Sequence, residues 1–142
     1  MHSYKYPHPA VTVDVIVTAG EKDQLAVLLI RRRSEPFKDK WALPGGFMNI
    51  DETLADACKR ELKEETGLKG IALEQLNIFD APGRDPRERV ISVVFYAHLS
   101  EAPGVSGSDD AREAKWFPLI SLPELAFDHK EIIGKFIREK LE

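Results

Sequence analysis

One stretch, residues 52–68, constrains the fold of this chain more than any other, because acidic side chains share the apolar face of a helical pattern. At 100° per residue, three apolar side chains fall within about 80° of one another: Leu54, Cys58 and Leu62. Glu65 lies among them in this projection, and Glu61 lies at the edge of the same face. We therefore predict a helix over about residues 53–66 that ends at Gly67 and carries glutamates on its buried side.

Glutamates on a buried face need a cation nearby. Like charges one turn apart destabilise a helix, and a buried carboxylate must be neutralised or paired. The glutamates in question are Glu52, Glu61, Glu64 and Glu65. Arg60 can pair with Glu64 one turn later, but a single arginine cannot balance all of them. A divalent cation can, and oxygen ligands favour Mg²⁺, with Mn²⁺ as the alternative, over zinc.

The competing interpretation is a solvated helix face on which the same glutamates pair with Lys59 and Lys63. Charged runs lie at the surface in most proteins, so composition alone favours this second interpretation. The angular position of Glu65 among apolar side chains argues against it.

Composition bounds the other choices. The 142 residues include 20 Lys+Arg and 24 Asp+Glu, and the formal charge of −4 argues against broad electrostatic binding to nucleic acid. Cys58 is the single cysteine, which excludes a disulfide framework, and we expect it to be an inert buried side chain. The sequence has no signal-peptide pattern and no apolar run long enough to cross a bilayer, so we expect a cytoplasmic protein without membrane contact.

Apolar periodicity predicts an α/β fold. We predict strands at residues 11–17, 25–30, 41–43, 71–79, 90–99 and 114–118. A basic loop follows the second strand, and a last helix starts at Asp128, which forms a capping-box-like pair with Glu131. Since no internal repeat or linker is found, we predict one domain, residues 1–142, with a mixed sheet covered by two helices.

The acidic helix carries a complete sequence motif. The motif is Gly46-x5-Glu52-x7-Arg60-Glu61-Leu62-x-Glu64-Glu65-x-Gly67-Leu68. It resembles the Nudix box at every fixed position. The resemblance implies a Nudix-type α/β/α sandwich with a mixed β-sheet between helices, and an enzyme that hydrolyses a nucleoside diphosphate linked to another group.

The resemblance also implies roles for the residues of the box. Glu61 and Glu65 would hold the catalytic metal, helped by Glu64 and by the backbone carbonyl of Gly45. Arg60 would orient the glutamates, and Glu52 would contribute to metal binding or to helix support. This agrees with the physical argument, because a pyrophosphate is surrounded by negative charge that a metal must neutralise.

The general base is not determined by the box, because members of the family use a carboxylate either in the box or on a distant loop. The loop before Trp116 carries three acidic residues. We predict that Asp110 acts there as base or supporting metal ligand, with Glu61 and Glu64 as alternatives. An ordinary turn residue is the competing interpretation for Asp110.

Three segments outside the box are similar to the ADP-ribose pyrophosphatase branch of the family: residues 36–47, 82–92 and 125–130. This narrower resemblance implies a nucleotide substrate, ADP-ribose, cleaved to AMP and ribose 5-phosphate. Similar hydrolases are commonly homodimers, so it implies a homodimer as well. Related transcriptional regulators carry an added winged-helix domain and often a damaged box, so an intact box in a chain ending at Glu142 favours an enzyme.

Loop residues are the candidates for substrate binding. Arg32 and Arg84 are predicted to bind phosphate or ribose oxygens, with a solvated loop as the alternative. Phe37 and Phe47 are predicted to stack on adenine, with ordinary packing as the alternative. We expect His129 to cap the last helix or to pack at the surface rather than to form a catalytic pair.

Two further functions remain open from the sequence. A nucleoside triphosphate pyrophosphatase, for example one acting on oxidised dNTPs, would share every residue of the box. A catalytically silent sensor of ADP-ribose or another nucleotide would share the fold. A structural domain with a salt-bridged helix is the third alternative, and it predicts no stabilisation by Mg²⁺.

Overall fold

A computed structural model describes residues 3–142, in which seven strands form one mixed sheet. The strands are β1 (Ala10–Ala19), β2 (Ala26–Arg32), β3 (Trp41–Ala42), β4 (Gly45–Phe47), β5 (Glu74–Phe79), β6 (Val90–Leu99) and β7 (Ala111–Pro118). Helix α1 (Leu54–Thr66) connects β4 to β5, and helix α2 (His129–Phe136) follows β7 and continues into a π-helical turn, Ile137–Leu141.

The central strand β1 organises the sheet. It runs parallel to β6 over its whole length, whereas all other pairings are antiparallel. Its opposite edge is shared, with β4 pairing near Val13 and β2 pairing at Thr18 and Ala19. The segment β4 is therefore held directly against the centre of the sheet.

The two faces of β1 pack against different helices, because successive side chains of a strand point to opposite sides. One core contains Val13, Val15 and Val17 with Cys58 and Leu62 of α1. The other contains Ile16 with Ile132, Ile133 and Phe136 of α2. The mixed sheet thus lies between the two helices, which confirms the predicted α/β/α sandwich, and Cys58 is buried as expected.

Helix α1 has the predicted limits. Thr53 is its N-cap, and the hydroxyl accepts a hydrogen bond from the amide of Asp56 at 3.1 Å. Gly67 takes a left-handed conformation with φ of 82° and donates its amide to the carbonyl of Lys63 at 2.9 Å. Glycine adopts that conformation without strain, so the helix is closed at both ends.

Three segments differ from prediction. Residues 71–73 precede β5 instead of belonging to it, and β7 starts earlier, at Ala111. Residues 45–47 form β4, where the sequence predicts only the end of a strand. The glycines allow this, since a Cβ atom on Gly45 would lie 2.1 Å from the carbonyl oxygen of Val13. Over residues 3–142, no helix has the length and apolar character needed to cross a membrane.

Candidate active site

Arg60 gathers the glutamates of the box. Its Nε and Nη2 atoms donate to Glu52 at 3.0 and 2.7 Å, and Nη1 donates to Glu61 at 2.8 Å and to Glu64 at 3.1 Å. Nη2 also donates to the carbonyl of Phe47 at 3.0 Å, which joins α1 to β4. The predicted pair with Glu64 is confirmed, and hydrogen bonds from the glutamates, Glu52 first, hold the pKa of Arg60 above its usual value.

Glu65 lies on the buried face of α1, as the periodicity predicts, and only 3% of it is exposed. Its Oε1 atom accepts a hydrogen bond from the amide of Gly45 at 2.8 Å. Burial raises the pKa of Glu65 well above its usual value, the Gly45 bond opposes this, and the charges of Glu61, Asp110 and Asp14 add to it. Glu65 is therefore a buried carboxylate surrounded by like charge.

Glu61 lies beside Glu65, at the edge of the buried face of α1. Its side chain is 12% exposed, and burial raises its pKa to about 7 in spite of the hydrogen bond from Arg60. A Cβ atom on Gly46 would lie 2.8 Å from the Glu61 carboxylate, so only glycine lets the backbone come this close. The two adjacent glycines of β4 thus face the two most buried carboxylates of the helix.

Asp110, in the turn immediately before β7, reaches the same place. It lines one cleft together with Glu61 and Glu65, and its charge raises the pKa of both. The loop is tied to α1 by a hydrogen bond from the Ser108 hydroxyl to the carbonyl of Glu64. The structure therefore brings Asp110 to the carboxylates, while its role as base stays a prediction.

The cleft has a volume of about 330 Å³, and besides Arg60 it is lined by Arg32 and Arg87. Arg32 donates through Nε to the carbonyl of Pro36 at 2.8 Å. Arg87 is held by Asp85, with Nε and Nη2 at 3.0 and 2.7 Å from its oxygens. Burial and then the charge of Arg87 lower the pKa of Arg32, so an anion placed between the two guanidinium groups would relieve repulsion.

Aromatic rings surround these arginines. Arg87 lies over the rings of Phe47 and Phe127 at 4.8 and 5.3 Å, and Arg32 lies over Phe127 at 5.0 Å. Phe37 packs on Phe127 with ring centroids 4.8 Å apart. Phe127 has a φ of 53°, a strained conformation for a phenylalanine, and such strain occurs preferentially at functional sites.

Arg84 lines a smaller pocket of about 40 Å³ that shares Arg32, Glu65 and Arg87 with this cleft, and its side chain is 4% exposed. Its Nε and Nη2 atoms donate to both carboxylate oxygens of Asp128 at 2.9 and 2.7 Å. The Asp128 side chain therefore makes no cap on α2, and the capping-box prediction is wrong because this ion pair takes its place. Substrate binding by Arg84 stays a prediction.

His129 is buried, with 4% exposure, so the prediction of a capping or surface histidine is wrong. The first turn of α2 packs against the segment after β3, where the ring accepts the amide of Leu43 on Nδ1 at 3.0 Å. Its Nε2 atom lies 3.5 Å from Oδ1 of Asp14. Burial lowers the pKa of His129, and the charge of Asp14 opposes the shift.

Comparison with known proteins identifies the family of this chain. The NUDIX domain model matches residues 8–139. The chain belongs to the NUDIX family. An ADP-ribose pyrophosphatase of Methanocaldococcus jannaschii is 48% identical over 135 residues, which are 95% of this chain and 77% of that protein. The ADPR responsive transcriptional repressor NtrR of Acinetobacter baylyi is 34% identical over 133 residues, and this Nudix chain spans 53% of its length.

Solved structures give the same assignment. The NUDIX domain of Shewanella oneidensis NrtR complexed with ADP ribose has a TM-score of 0.86 and 32% identity, with 96% of this chain and 91% of that chain covered. A MutT/nudix family protein of Enterococcus faecalis has a TM-score of 0.84 and 38% identity, with 97% of this chain and 64% of that chain covered. The chain is a Nudix hydrolase, as its intact box predicts.

The donor atoms of this Nudix hydrolase fit a divalent cation. Glu65 is buried, a neutral amide donates to it, and like charges surround it, so a hard cation would meet oxygen ligands there. Arg60 holds Glu61 and Glu64, and within residues 3–142 no three His, Cys, Asp or Glu side chains are gathered closely enough to hold a metal ion. Arg60 bonds only the Oε1 atom of Glu61 and of Glu64, so a cation would share these two carboxylates with Arg60.

The structure brings most of the predicted site residues of this Nudix hydrolase together. Those lining the cleft are Arg32, Gly45, Phe47, Arg60, Glu61, Glu65 and Asp110. Glu64 is 35% exposed beside Arg60, and Phe37 lies behind Phe127. Sequence reasoning missed four residues near the site: Asp14, Arg87, Phe127 and His129. A carboxylate in a strand of valines was a signal for Asp14, and the other three lie in the segments that resemble ADP-ribose pyrophosphatases.

Proposed function

We propose that this Nudix hydrolase cleaves the pyrophosphate bond of ADP-ribose to AMP and ribose 5-phosphate, with Mg²⁺ as cofactor and Mn²⁺ as the alternative. The observation that carries the proposal is that one cleft is lined both by buried box carboxylates, Glu61 and Glu65, and by Arg32 and Arg87. A cation on the carboxylates and two arginines opposite them provide the positive charge that a pyrophosphate requires. The relative named ADP-ribose pyrophosphatase supports the choice of substrate.

The box residues would hold the cation. Glu61, Glu64 and Glu65 supply carboxylate oxygens, and Gly45 supplies its carbonyl. When bound, the metal neutralises pyrophosphate oxygens and lowers the pKa of a coordinated water. Arg60 keeps the glutamates in one orientation through the bonds described above.

The remaining residues bind substrate and move a proton. Arg32 and Arg87 bind phosphate oxygens, and Phe47 flanks the adenine together with Phe37. Water forms a new bond to one phosphorus as the bridging P–O bond breaks. Asp110 accepts the proton of that water, with Glu61 and Glu64 as alternatives, because a carboxylate can serve as a general base.

A second candidate function is a sensor that binds ADP-ribose without turnover. It is favoured by the similarity to the repressor NtrR and to the NrtR domain complexed with ADP ribose. The undamaged box favours hydrolysis instead. A triphosphate pyrophosphatase is the alternative within enzymes, since the chain is 31% identical to a dihydroneopterin triphosphate diphosphatase of Escherichia coli over 118 residues.

A substrate panel tests these choices. Purified protein with Mg²⁺ is assayed on ADP-ribose, NADH, a sugar nucleotide and an oxidised dNTP, and the products are separated by chromatography. We expect the highest kcat/KM for ADP-ribose, with AMP and ribose 5-phosphate as products. A lower rank for ADP-ribose would overturn the proposed substrate, and tight ADP-ribose binding without turnover would identify a sensor.

A matched pair of arginine variants tests the cleft itself. We expect Arg87→Ala to raise the KM for ADP-ribose about 10-fold or more, because it removes charge-assisted hydrogen bonds to phosphate. Arg89→Ala removes the same charge from an exposed position two residues later and should leave KM near its normal value. If both variants raised KM equally, Arg87 would contribute only general electrostatic attraction and no specific contact with the substrate.

The homodimer and the cytoplasmic compartment belong to the same proposal. Both rest on similarity to ADP-ribose hydrolases and on the composition of the chain. Sedimentation equilibrium tests the first, and a species of one 16.0 kDa chain at micromolar concentration would contradict it.

A further inference from the structure

A chain of buried polar contacts links Ser92, Asp14, His129 and Leu43 next to the candidate metal site. Ser92 donates its hydroxyl to one oxygen of Asp14, and the other oxygen lies 3.5 Å from Nε2 of His129. The amide of Leu43 donates to Nδ1 of the same ring at 3.0 Å, so the ring proton is assigned to Nε2, facing Asp14. All four residues are buried. None of the four takes part in the proposed reaction.

The polar chain ends at the backbone that carries Gly45. His129 holds the amide of Leu43, Val15 donates its amide to the carbonyl of Pro44 at 2.9 Å, and Gly45 donates its amide to Glu65 at 2.8 Å. Three successive residues of the connection are therefore each fixed by one hydrogen bond.

Asp14 contacts the same segment from β1. It is the partner of Gly45 in the pairing of β1 with β4, and a Cβ atom on Gly45 would lie 2.8 Å from its Oδ1 atom. A buried carboxylate costs free energy unless it is bonded, and an apolar residue would fill this place in a valine-rich strand. The arrangement therefore serves a purpose other than packing.

We propose that His129 and Asp14 are positioning residues, which hold the Leu43–Gly45 backbone so that Gly45 faces Glu65 and the cation site. The proposal rests on the proposed function for the presence of that cation. It gives the 125–130 segment a physical role, because Phe127 contacts Arg87, Asp128 bonds Arg84 and His129 bonds the amide of Leu43.

Three variants separate positioning from packing. His129→Leu removes both contacts of the ring, whereas His129→Asn keeps an acceptor near the place of Nδ1. His98→Asn is the matched control, because His98 lies exposed on β6 and bonds Thr18 at 2.8 Å, away from the cleft. Where His129→Leu fails to fold, Asp14→Asn replaces it, since asparagine keeps the shape and still accepts from Ser92.

Two measurements do not need turnover. Amide hydrogen exchange in metal-free protein reports the order of Leu43 and Gly45, and calorimetry with Mn²⁺ reports metal affinity. For His129→Leu we expect faster exchange at both amides and Mn²⁺ affinity weakened about 10–100-fold, as is typical when a group behind a metal ligand is removed. His129→Asn should restore most of the affinity, and His98→Asn should match the unmodified protein.

A kinetic measurement adds a third readout. Because Asp14 and His129 are both buried and would act through the backbone, kcat should fall in His129→Leu while the KM for ADP-ribose stays within about twofold. Unchanged Gly45 exchange together with unchanged Mn²⁺ affinity in a folded His129→Leu protein would overturn the proposal. Exchange that accelerates equally throughout β1 would also overturn it, because it would mean general destabilisation.

The test of His129 and Asp14 can be distinguished from the test of ADP-ribose hydrolysis. Suppose the unmodified protein does not hydrolyse ADP-ribose. The exchange rates and the Mn²⁺ affinities of the variants then still decide whether His129 and Asp14 position Gly45. Normal turnover in the unmodified protein with no effect of His129→Leu would reject the positioning pair and leave the function intact.

Discussion

At Glu65, the requirements of stability and of metal binding oppose each other. Its carboxylate is buried, receives a hydrogen bond from Gly45 and is surrounded by the charges of Glu61, Asp110 and Asp14. In the metal-free protein this environment disfavours ionisation, and a bound cation would reverse the preference.

Replacing Glu65 with glutamine should separate the two effects. The folded state raises the pKa above the unfolded value of about 4.3, so the free-energy cost is absent below that pH and grows as the pH rises. We expect Glu65→Gln to abolish turnover and to raise the unfolding free energy of metal-free protein by about 1–3 kcal/mol at pH 8. Urea unfolding with EDTA at pH 5 and pH 8 measures the difference.

The control for this change is Glu131→Gln, which alters an exposed glutamate of α2. It should leave activity and both unfolding curves unchanged. A Glu65→Gln protein with normal turnover would refute the assignment of the metal site, and one destabilised at pH 8 would refute the electrostatic account.

At the scale of elements, α1 and β4 act as one unit. Arg60 bonds the carbonyl of Phe47, Gly45 bonds Glu65, and Gly46 lies against Glu61. The orientation of the glutamates therefore depends on a helix whose ends are well defined, and its N-terminus relies on the hydroxyl of Thr53.

Removing that cap should weaken the helix without touching the cleft. We expect Thr53→Ala to lower the unfolding free energy by about 1 kcal/mol, because the amide of Asp56 loses its partner. Thr53→Ser keeps a hydroxyl and should retain most of the stability. Chemical denaturation of both variants measures this, and equal losses would show that the methyl group, not the cap, stabilises the helix.

The elements also show where sequence patterns reach their limit. The limits of α1 follow from local signals, namely apolar spacing and Gly67, and the structure confirms them. The strand β4 has no such signal, because two glycines and one phenylalanine form a strand only by lying against β1. Asp128 likewise satisfies a local capping pattern, yet its carboxylate pairs with Arg84, 44 residues earlier in the chain.

At the scale of the whole molecule, the formal charge of −4 gives an incomplete account of what the protein can bind. Net charge argues against nucleic acid, but the carboxylates near the cleft are opposed by Arg32 and Arg87, and a cation would add to that positive charge. A net-negative protein can therefore accept an anionic pyrophosphate at one place.

Divalent cation should consequently stabilise the whole fold. Mg²⁺ at about 100 times its Kd adds about 2.7 kcal/mol, which corresponds to a rise in Tm of about 5–10 °C for a chain of this length. Thermal melts with Mg²⁺, with EDTA and with NaCl of equal ionic strength measure the effect. The rise should vanish with EDTA and in Glu65→Gln, and an equal rise with NaCl would indicate screening of charges and no specific site.

The sequence by itself determined the acidic helix, the buried position of Glu65 and the pair of Arg60 with Glu64, because these depend on spacing within a few turns of one helix. Only the tertiary structure decided the partners of the other residues. Arg84 pairs with Asp128, and Arg87 lines the cleft. His129 accepts a hydrogen bond from Leu43, which lies 86 positions away in the sequence. Such contacts depend on how the sheet and helices pack, and no periodicity along the chain encodes them.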